Sequence, residues 1–315
     1  MTSPISAFFK LTCLFFWLSL AFIPYACVFR PLKWKYRQYG LLFWKGALRI
    51  MRIKVRVRGK LAQDRPLLCV SNHNSYLDIL VLGAVFPGTF VSKADVAKWP
   101  GIGLLATIAR TIYIDRRRES AANHANMMDE RMREGEPLLF FPEGTSSDGN
   151  RVLPFKSALF KTAESMIDDK PVHVQPVSIA YTKVDGMPVG YVWRPMYAWY
   201  GDMDLASHFW QVLMMGKATV EVEFHGTRLL NHDIPASRAR KELSKACEDD
   251  IRGGVERALT GRHPDQQNPL EDSETRSKQA ADDFDDDLDW DDDMQDDAYA
   301  SAAGAPTRPD TATDK

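Results

Sequence analysis

The rhythm of apolar and polar positions changes several times along the chain, and each change predicts an element. Leu11 to Phe29, "LTCLFFWLSLAFIPYACVF", holds 19 residues without a charge. As a helix it reaches roughly 28 Å, close to the hydrocarbon thickness of a bilayer. "GLLFWKGALRIM" (40–51) follows, apolar with Lys45 and Arg49 between, a pattern for a helix lying at the membrane interface, the alternative being an ordinary core helix. "RIKVRVRG" then alternates Ile53, Val55 and Val57 with Arg52, Lys54, Arg56 and Arg58, the period of a half-exposed strand. Short apolar runs at 66–70, 88–92, 111–114, 137–141 and 172–181 predict buried strands, and "ATVEVEF" (218–224) a late one. Between them, 76–86, 119–134, 157–168 and 236–258 have helical character. Apolar strands alternating with helices predict an α/β fold: a mixed, largely parallel sheet flanked by helices.

The two ends depart from this pattern. Lys10 precedes the N-terminal apolar run, whereas Arg30, Lys33, Lys35 and Arg37 follow it, which places the C-terminal side in the cytoplasm. Pro24 permits a kink, so a hairpin dipping into one leaflet stands beside a spanning helix. The absence of a small-x-small cleavage site argues against a signal peptide. From Pro264 onward, "DDFDDDLDWDDDMQDD" and an Ala/Pro/Thr/Asp end predict a disordered acidic tail that buries too little apolar surface to order itself. The expected division is a membrane anchor and interfacial helix at 1–48, a catalytic domain at 49–263 and the tail at 264–315. Residues 264–315 carry 17 acidic and 4 basic side chains, leaving 25 acidic and 36 basic upstream. A basic body suits an anionic partner, and the apolar N-terminus makes a membrane surface the expected one rather than nucleic acid. Cys13, Cys27, Cys69 and Cys247 are scattered, form no metal cluster, and read as free thiols of a reducing compartment.

Polar residues follow three of the predicted strands: His73 after "PLLCV", Asp115 and Arg116 after "TIYI", and Glu143 after "PLLFF". In an open α/β sheet, ligands bind beyond the carboxyl ends of the strands. A lone histidine there is more often a core or capping residue. Asp78 changes that: in the first turn of the next helix, its carboxylate reaches back to the His73 ring, fixes the tautomer and leaves the other nitrogen as a base. No nucleophile accompanies the pair, because Ser71 and Ser75 lack a nucleophile-elbow context and Cys69 lies in a core strand. The nucleophile therefore belongs to the substrate, a transferase design. Pro142 and Gly144 bracket Glu143 in a turn that is, taken alone, as readily structural as functional.

"NHNSYLD", "TIYIDR", "FPEGT" and "VQPVSI" occur in that order and resemble the four sequence blocks of the glycerophospholipid (lysophosphatidate) acyltransferase family; "SKADVAKWPGIG" resembles its connecting segment. A given pentapeptide arises by chance in a chain this long roughly once in ten thousand. The resemblance covers about 65–181. It implies a His73 base that deprotonates an acceptor hydroxyl, an orienting Asp78, and direct attack on an acyl thioester without an acyl-enzyme. It assigns Arg116 to an anionic acceptor group and Glu143, Gly144, Thr145 and Ser146 to the acceptor pocket. Asn72, Pro142, Lys156 and Pro176 are supporting residues. It implies no metal and no cofactor, with acyl carrier protein or coenzyme A as carrier of the co-substrate, membrane lipids as partners, and an enzyme on the cytoplasmic side of the cell inner membrane.

Ser146 stands where the family usually carries arginine after "FPEGT", followed by Ser147 and Asp148. In this it looks closer to the subset acting on lyso-ornithine and similar phosphorus-free aminolipids. The expected function is thus lysolipid O-acylation with a lyso-ornithine-type acceptor. The alternatives are a 1-acyl-sn-glycerol-3-phosphate acyltransferase and a lipid-remodelling transacylase or hydrolase working without an acyl thioester.

Overall fold

The computed structural model describes residues 3–24, 27, 36–98, 103, 106, 111–114 and 121–262. Helices α1 (Pro4–Pro24) and α2 (Tyr36–Met51) lead into strand β1 (Ile53–Arg58). β2 (Leu67–Ser71), α3 (Leu77–Gly83), β3 (Thr89–Lys93) and β4 (Ile112–Ile114) follow, then α4 (Ala121–Arg133) and β5 (Leu138–Phe140). A small hairpin, β6 (Met166–Ile167) and β7 (Lys170–Pro171), precedes the long β8 (His173–Val184), which folds back on β9 (Met187–Pro188). α5 (Leu205–Met214), β10 (Ala218–Phe224) and α6 (Ala236–Thr260) complete the order.

The main sheet runs β1-β10-β8-β2-β5-β3-β4. Every neighbouring pair on that path is parallel except β10 with β8, so the sheet is mixed and largely parallel, as the sequence predicts. Residues of β2 alternate between two cores. Leu67 and Cys69 join one that includes α1, α2, α3 and α5, and Leu68 and Val70 join one that includes α4 and α6. A strand covered on both faces has no reason to alternate apolar with polar, which is why "PLLCV" reads as a continuous apolar run.

Three expectations change. The first apolar helix starts at Pro4 rather than Leu11 and is described as far as Pro24; 25–26 and 28–29 of the expected run lie outside the described residues. It is long and apolar enough to cross a membrane, yet Ala7, Lys10, Leu14 and Ala21 are buried against the domain at spacings of three, four and seven residues, one face of a helix. Ser3 N–H donates to the Met214 carbonyl, the Lys10 ammonium to that of Met215 (2.8 Å) and Trp17 Nε1 to that of Phe43 (3.1 Å). Second, α2 is a core helix: Phe43, Trp44, Ala47, Leu48 and Met51 are buried in the main core. The expected boundary at 48/49 therefore falls inside a helix, and 36–48 belong with the sheet. Third, 157–164 is a 3-10 helix that gives way to the β6–β7 hairpin instead of continuing as a helix to 168. Residues 264–315 of the predicted tail lie outside the described residues, as does Arg116.

Candidate active site

β2 ends at Ser71, in register with Val177 of β8. Asn72 carries the pairing one step further with its side chain: Oδ1 accepts from Ile179 N–H (2.9 Å) and Nδ2 donates to the Ile179 carbonyl (2.9 Å). The amide thus replaces a backbone rung and frees the chain to turn away from the sheet. Pro176 tolerates a central strand because its carbonyl faces His225 (3.0 Å), where β10 has just ended at Phe224 and its missing N–H is not needed. It is a buried wall opposite Val70.

The turn from 72 to 76 brings His73 to Asp78, with Nδ1 2.9 Å from Oδ2. Asp78 is fully buried, and burying a carboxylate is costly unless it is paired and hydrogen-bonded. The loop answers that cost locally. Asn74 N–H (2.6 Å) and Ser75 N–H (2.9 Å) both donate to Oδ2. Oδ1 receives the Tyr181 hydroxyl at 3.0 Å. Burial, then the adjacent carboxylate, raises the Tyr181 phenol well above its ordinary range, so it stays a donor. At the start of α3 Tyr76 occupies the N-cap position and makes no side-chain cap bond; Ser75 Oγ accepts from Leu77 N–H (3.3 Å), and the aspartate's own carboxylate collects the Asn74 and Ser75 amides. With Nδ1 turned to Asp78, Nε2 is the nitrogen free to act as a base. The His73 side chain is 21% exposed and its ring lies flat on Phe141, centroids 4.0 Å apart.

The "FPEGT" turn follows β5 and closes over the same loop. Pro142 and Glu143 are buried, and Thr145 is exposed. Glu143 Oε1 accepts from His73 N–H (3.3 Å); Oε2 is buried without a hydrogen-bond partner among the described residues. Burial pushes this carboxyl up to about 8, against the lowering effect of the His73 and Leu153 amides. Gly144 has φ +72°, and a Cβ there would meet the Lys156 ammonium at 2.6 Å. Lys156, exposed, also ties its own N–H to the Pro142 carbonyl (3.0 Å). The Ser146 hydroxyl donates to the Trp199 carbonyl, while Trp199 N–H donates to the Asn74 carbonyl (2.9 Å). Ser147 N–H binds the His73 carbonyl (2.8 Å), and its hydroxyl reaches Asn74 Oδ1 (3.0 Å). Asp148 accepts from the backbone (3.1 Å) and side-chain (3.4 Å) nitrogens of Asn150.

The structure thus brings His73, Asp78, Asn72, Pro142, Glu143, Gly144, Ser146 and Lys156 together and keeps Pro176 one layer behind. Sequence reading missed Tyr181, Phe141, Ser147 and Trp199. Phe141 stands inside the motif itself, and Tyr181 closes the predicted strand 172–181. Trp199 lies in a stretch without any periodic signal. Among the described residues no cluster of His, Cys, Asp and Glu has a metal-binding arrangement.

Comparison with known proteins gives four concordant matches. The family model described as Acyltransferase matches residues 52–180. The lyso-ornithine lipid O-acyltransferase of Brucella abortus is 40% identical over 251 residues, covering 78% of this chain and 92% of that protein. A 1-acyl-sn-glycerol-3-phosphate acyltransferase of Neisseria gonorrhoeae is 33% identical over 67% of this chain and 78% of its own length. The crystal structure of the 1-acyl-sn-glycerophosphate (LPA) acyltransferase PlsC from Thermotoga maritima superposes with a TM-score of 0.54 at 22% identity, over 82% of this chain and 95% of that one, and shares the fold.

Proposed function

This chain belongs to the glycerophospholipid acyltransferase family, in the branch of the lyso-ornithine lipid O-acyltransferases, and transfers acyl groups to lysolipids; from that premise we propose that its acceptor is a lyso-ornithine-type aminolipid. The donor in this reading is an acyl thioester on acyl carrier protein or coenzyme A. His73 Nε2 removes the proton of the acceptor hydroxyl while Asp78 holds the Nδ1–H. The freed oxygen attacks the thioester carbonyl, the tetrahedral intermediate collapses, and the imidazolium returns the proton to the leaving thiolate. No group of the protein is acylated in this reading: among the described residues no serine, threonine or cysteine is hydrogen-bonded to the His73 ring, whose partner is Asp78. The excess of 36 basic over 25 acidic residues before Pro264 suits either an acidic carrier protein or the phosphates of coenzyme A. The exposed apolar side of α1 lies on the cytoplasmic surface of the inner membrane, with the buried stripe holding it along the domain.

The observation that carries the acceptor assignment is the bond from Ser146 to the Trp199 carbonyl. A carbonyl only accepts, so the single Ser146 proton is committed to it and the hydroxyl has only lone pairs left to offer an acceptor lipid. Lone pairs beside the half-buried Asp148 suit an ammonium or amide N–H donor and disfavour phosphate oxygens. An arginine at this position would do the reverse, binding phosphate with a fork of donors.

The test compares kcat/KM for lyso-ornithine lipid and for 1-acyl-sn-glycerol 3-phosphate, in the wild type and in Ser146→Arg. The wild type is expected to favour the aminolipid. The substitution is expected to move the ratio toward the phosphate acceptor by about ten- to hundredfold, the equivalent of one charge-assisted contact of roughly 1.5–3 kcal/mol. A wild type that prefers the phosphate acceptor, with no change in the variant, overturns the assignment.

A further inference from the structure

The segment from β9 to α5 exposes large apolar side chains to an unusual degree. Met187 is 69% exposed, Tyr191 69%, Val192 77% and Trp193 62%; Tyr200 and Met203 are partly so. It lies beyond residues 52–180, which match the family model. Nor is it a loosely attached loop. Arg194 Nη1 donates to Asn150 Oδ1 (3.2 Å) and Nε to the Val189 carbonyl (3.3 Å), and Trp199 holds both the Asn74 carbonyl and the Ser146 hydroxyl. A rigid backbone that presents Tyr, Val and Trp outward bears a solvation cost that an apolar partner removes.

Two physical connections say which partner. The segment runs directly into α5, capped by Asp204, whose carboxylate accepts from Ser207 N–H (2.8 Å). α5 is the seat of α1, whose buried stripe packs against it while Phe8, Phe9, Phe15, Phe16 and Leu20 face outward, 65–70% exposed. The exposed aromatic segment is therefore continuous, through one helix, with the exposed apolar face of α1. The second connection is inward. Tyr76 lies in the chain between His73 and Asp78, and its ring contacts Trp199 (6.1 Å), His208 (5.6 Å) and Phe209 (6.3 Å) edge-on. Its hydroxyl is 3.1 Å from His208 Nδ1. The loop that carries the dyad is thus gripped by the same segment and helix.

We propose that residues 187–203 are a second membrane-contacting element, with Tyr191, Val192 and Trp193 seated at the boundary between head groups and acyl chains. Tyrosine and tryptophan favour that depth because one end of each ring system is apolar and the other hydrogen-bonds. Seated there, the segment puts the Ser146–Trp199 side of the pocket at the lipid surface, where a lysolipid reaches His73 without leaving the membrane. The proposal rests on the lysolipid acceptor proposed above, and the occupant it names is a bilayer, not a second copy of the chain.

The experiment uses the full chain and the exposed-residue variant Tyr191→Ser/Val192→Ser/Trp193→Ser, with thermal unfolding as the control for folding. Acylation is measured on lysolipid held in phosphatidylcholine vesicles and on a short-chain lysolipid kept monomeric in solution. The variant is expected to lose at least tenfold in kcat/KM on vesicles and to stay within about twofold of wild type on the monomeric acceptor. Separately, quenching by brominated phosphatidylcholine is compared between wild type and Trp193→Phe, so that the difference reports Trp193 alone. That readout needs no turnover, so it decides the membrane contact even if the acceptor assignment fails. Equal loss on both acceptors, or no quenching assignable to Trp193, overturns the proposal. So does conversion of a lipid-free dimer to a monomer in the triple variant, which would assign this face to a second copy.

Discussion

At the scale of single residues, the site is a buried carboxylate and the four donors that make its burial tolerable. Two are loop amides, one is His73, and among the described residues only the Tyr181 hydroxyl serves Oδ1. Tyr181→Phe keeps the ring, which stacks on Tyr197 at 5.3 Å and 9°, and removes only that donor. Asp78 is then held at one oxygen alone and its aim at His73 loosens. We expect kcat to fall about tenfold with KM for both substrates unchanged, the signature of lost positioning rather than lost binding; a loss confined to KM would refute the positioning role. Glu143 supplies a different test. Its carboxyl is raised from 4.5 to about 8, so the folded state holds the proton more tightly than the unfolded one. The resulting stability is complete below about 4.5 and is lost as pH rises through about 8. Glu143→Gln fixes a neutral side chain of the same shape, so the decline in urea midpoint across that window should flatten. An unchanged slope would assign the decline to other groups. The His73–Asp78 pair was legible in the sequence because both ends lie in one short turn. Tyr181 was not, because it reaches Asp78 only through the pairing of β8 beside β2, and no local pattern encodes a contact across 103 residues.

At the scale of elements, buried strands and amphipathic helices were legible wherever burial was one-sided or complete. α2 has the apolar stripe of an interfacial helix, but a stripe does not say whether lipid or protein covers it. Here Trp44 answers, filling the space beside Gly83 of α3 so closely that a Cβ on Gly83 would come within 2.7 Å of its ring. The 157–164 segment is helical as predicted and turns Phe160 and Ala163 inward, in a tighter helix than expected. The "FPEGT" turn depends on Gly144 twice, for its left-handed backbone and for the space the Lys156 ammonium occupies. Gly144→Ala should cost about 1–3 kcal/mol of stability and push Lys156 off the turn. The more telling outcome is activity. If the turn sets the acceptor pocket, KM for the lysolipid should rise more than tenfold while the donor KM stays put, whereas equal changes in both would point to general loosening of the fold.

At the scale of the whole molecule, the sequence separated the N-terminal apolar run from the catalytic domain, and the structure joins them. Hydropathy registers that a helix is apolar on every side; it does not register that Ala7, Leu14 and Ala21 share a stripe of small and medium residues fitted to α5 and α2. Lys10 gave the clearest hint: a lysine at the start of an apolar run reads as a flank of a membrane segment, yet its ammonium is buried on the Met215 carbonyl. A helix that contributes a lysine, a tryptophan N–H and a leucine to the interior of a domain is a part of that domain. Burying Leu14 alone is worth roughly 1.5–3 kcal/mol, before Trp17 and the Lys10 bond are added, against a total stability of about 5–15 kcal/mol for a typical protein. Removal of residues 1–24 should therefore not release a soluble, active catalytic domain. The truncated chain is expected to unfold at least 10 °C lower than the full chain in the same detergent, or to aggregate, and to lose turnover on monomeric as well as vesicle-bound lysolipid. A detachable anchor would behave in the opposite way. The shortened protein would keep its unfolding temperature and its activity on the monomeric acceptor and lose only the membrane, and that result would return α1 to the role its hydropathy alone suggests.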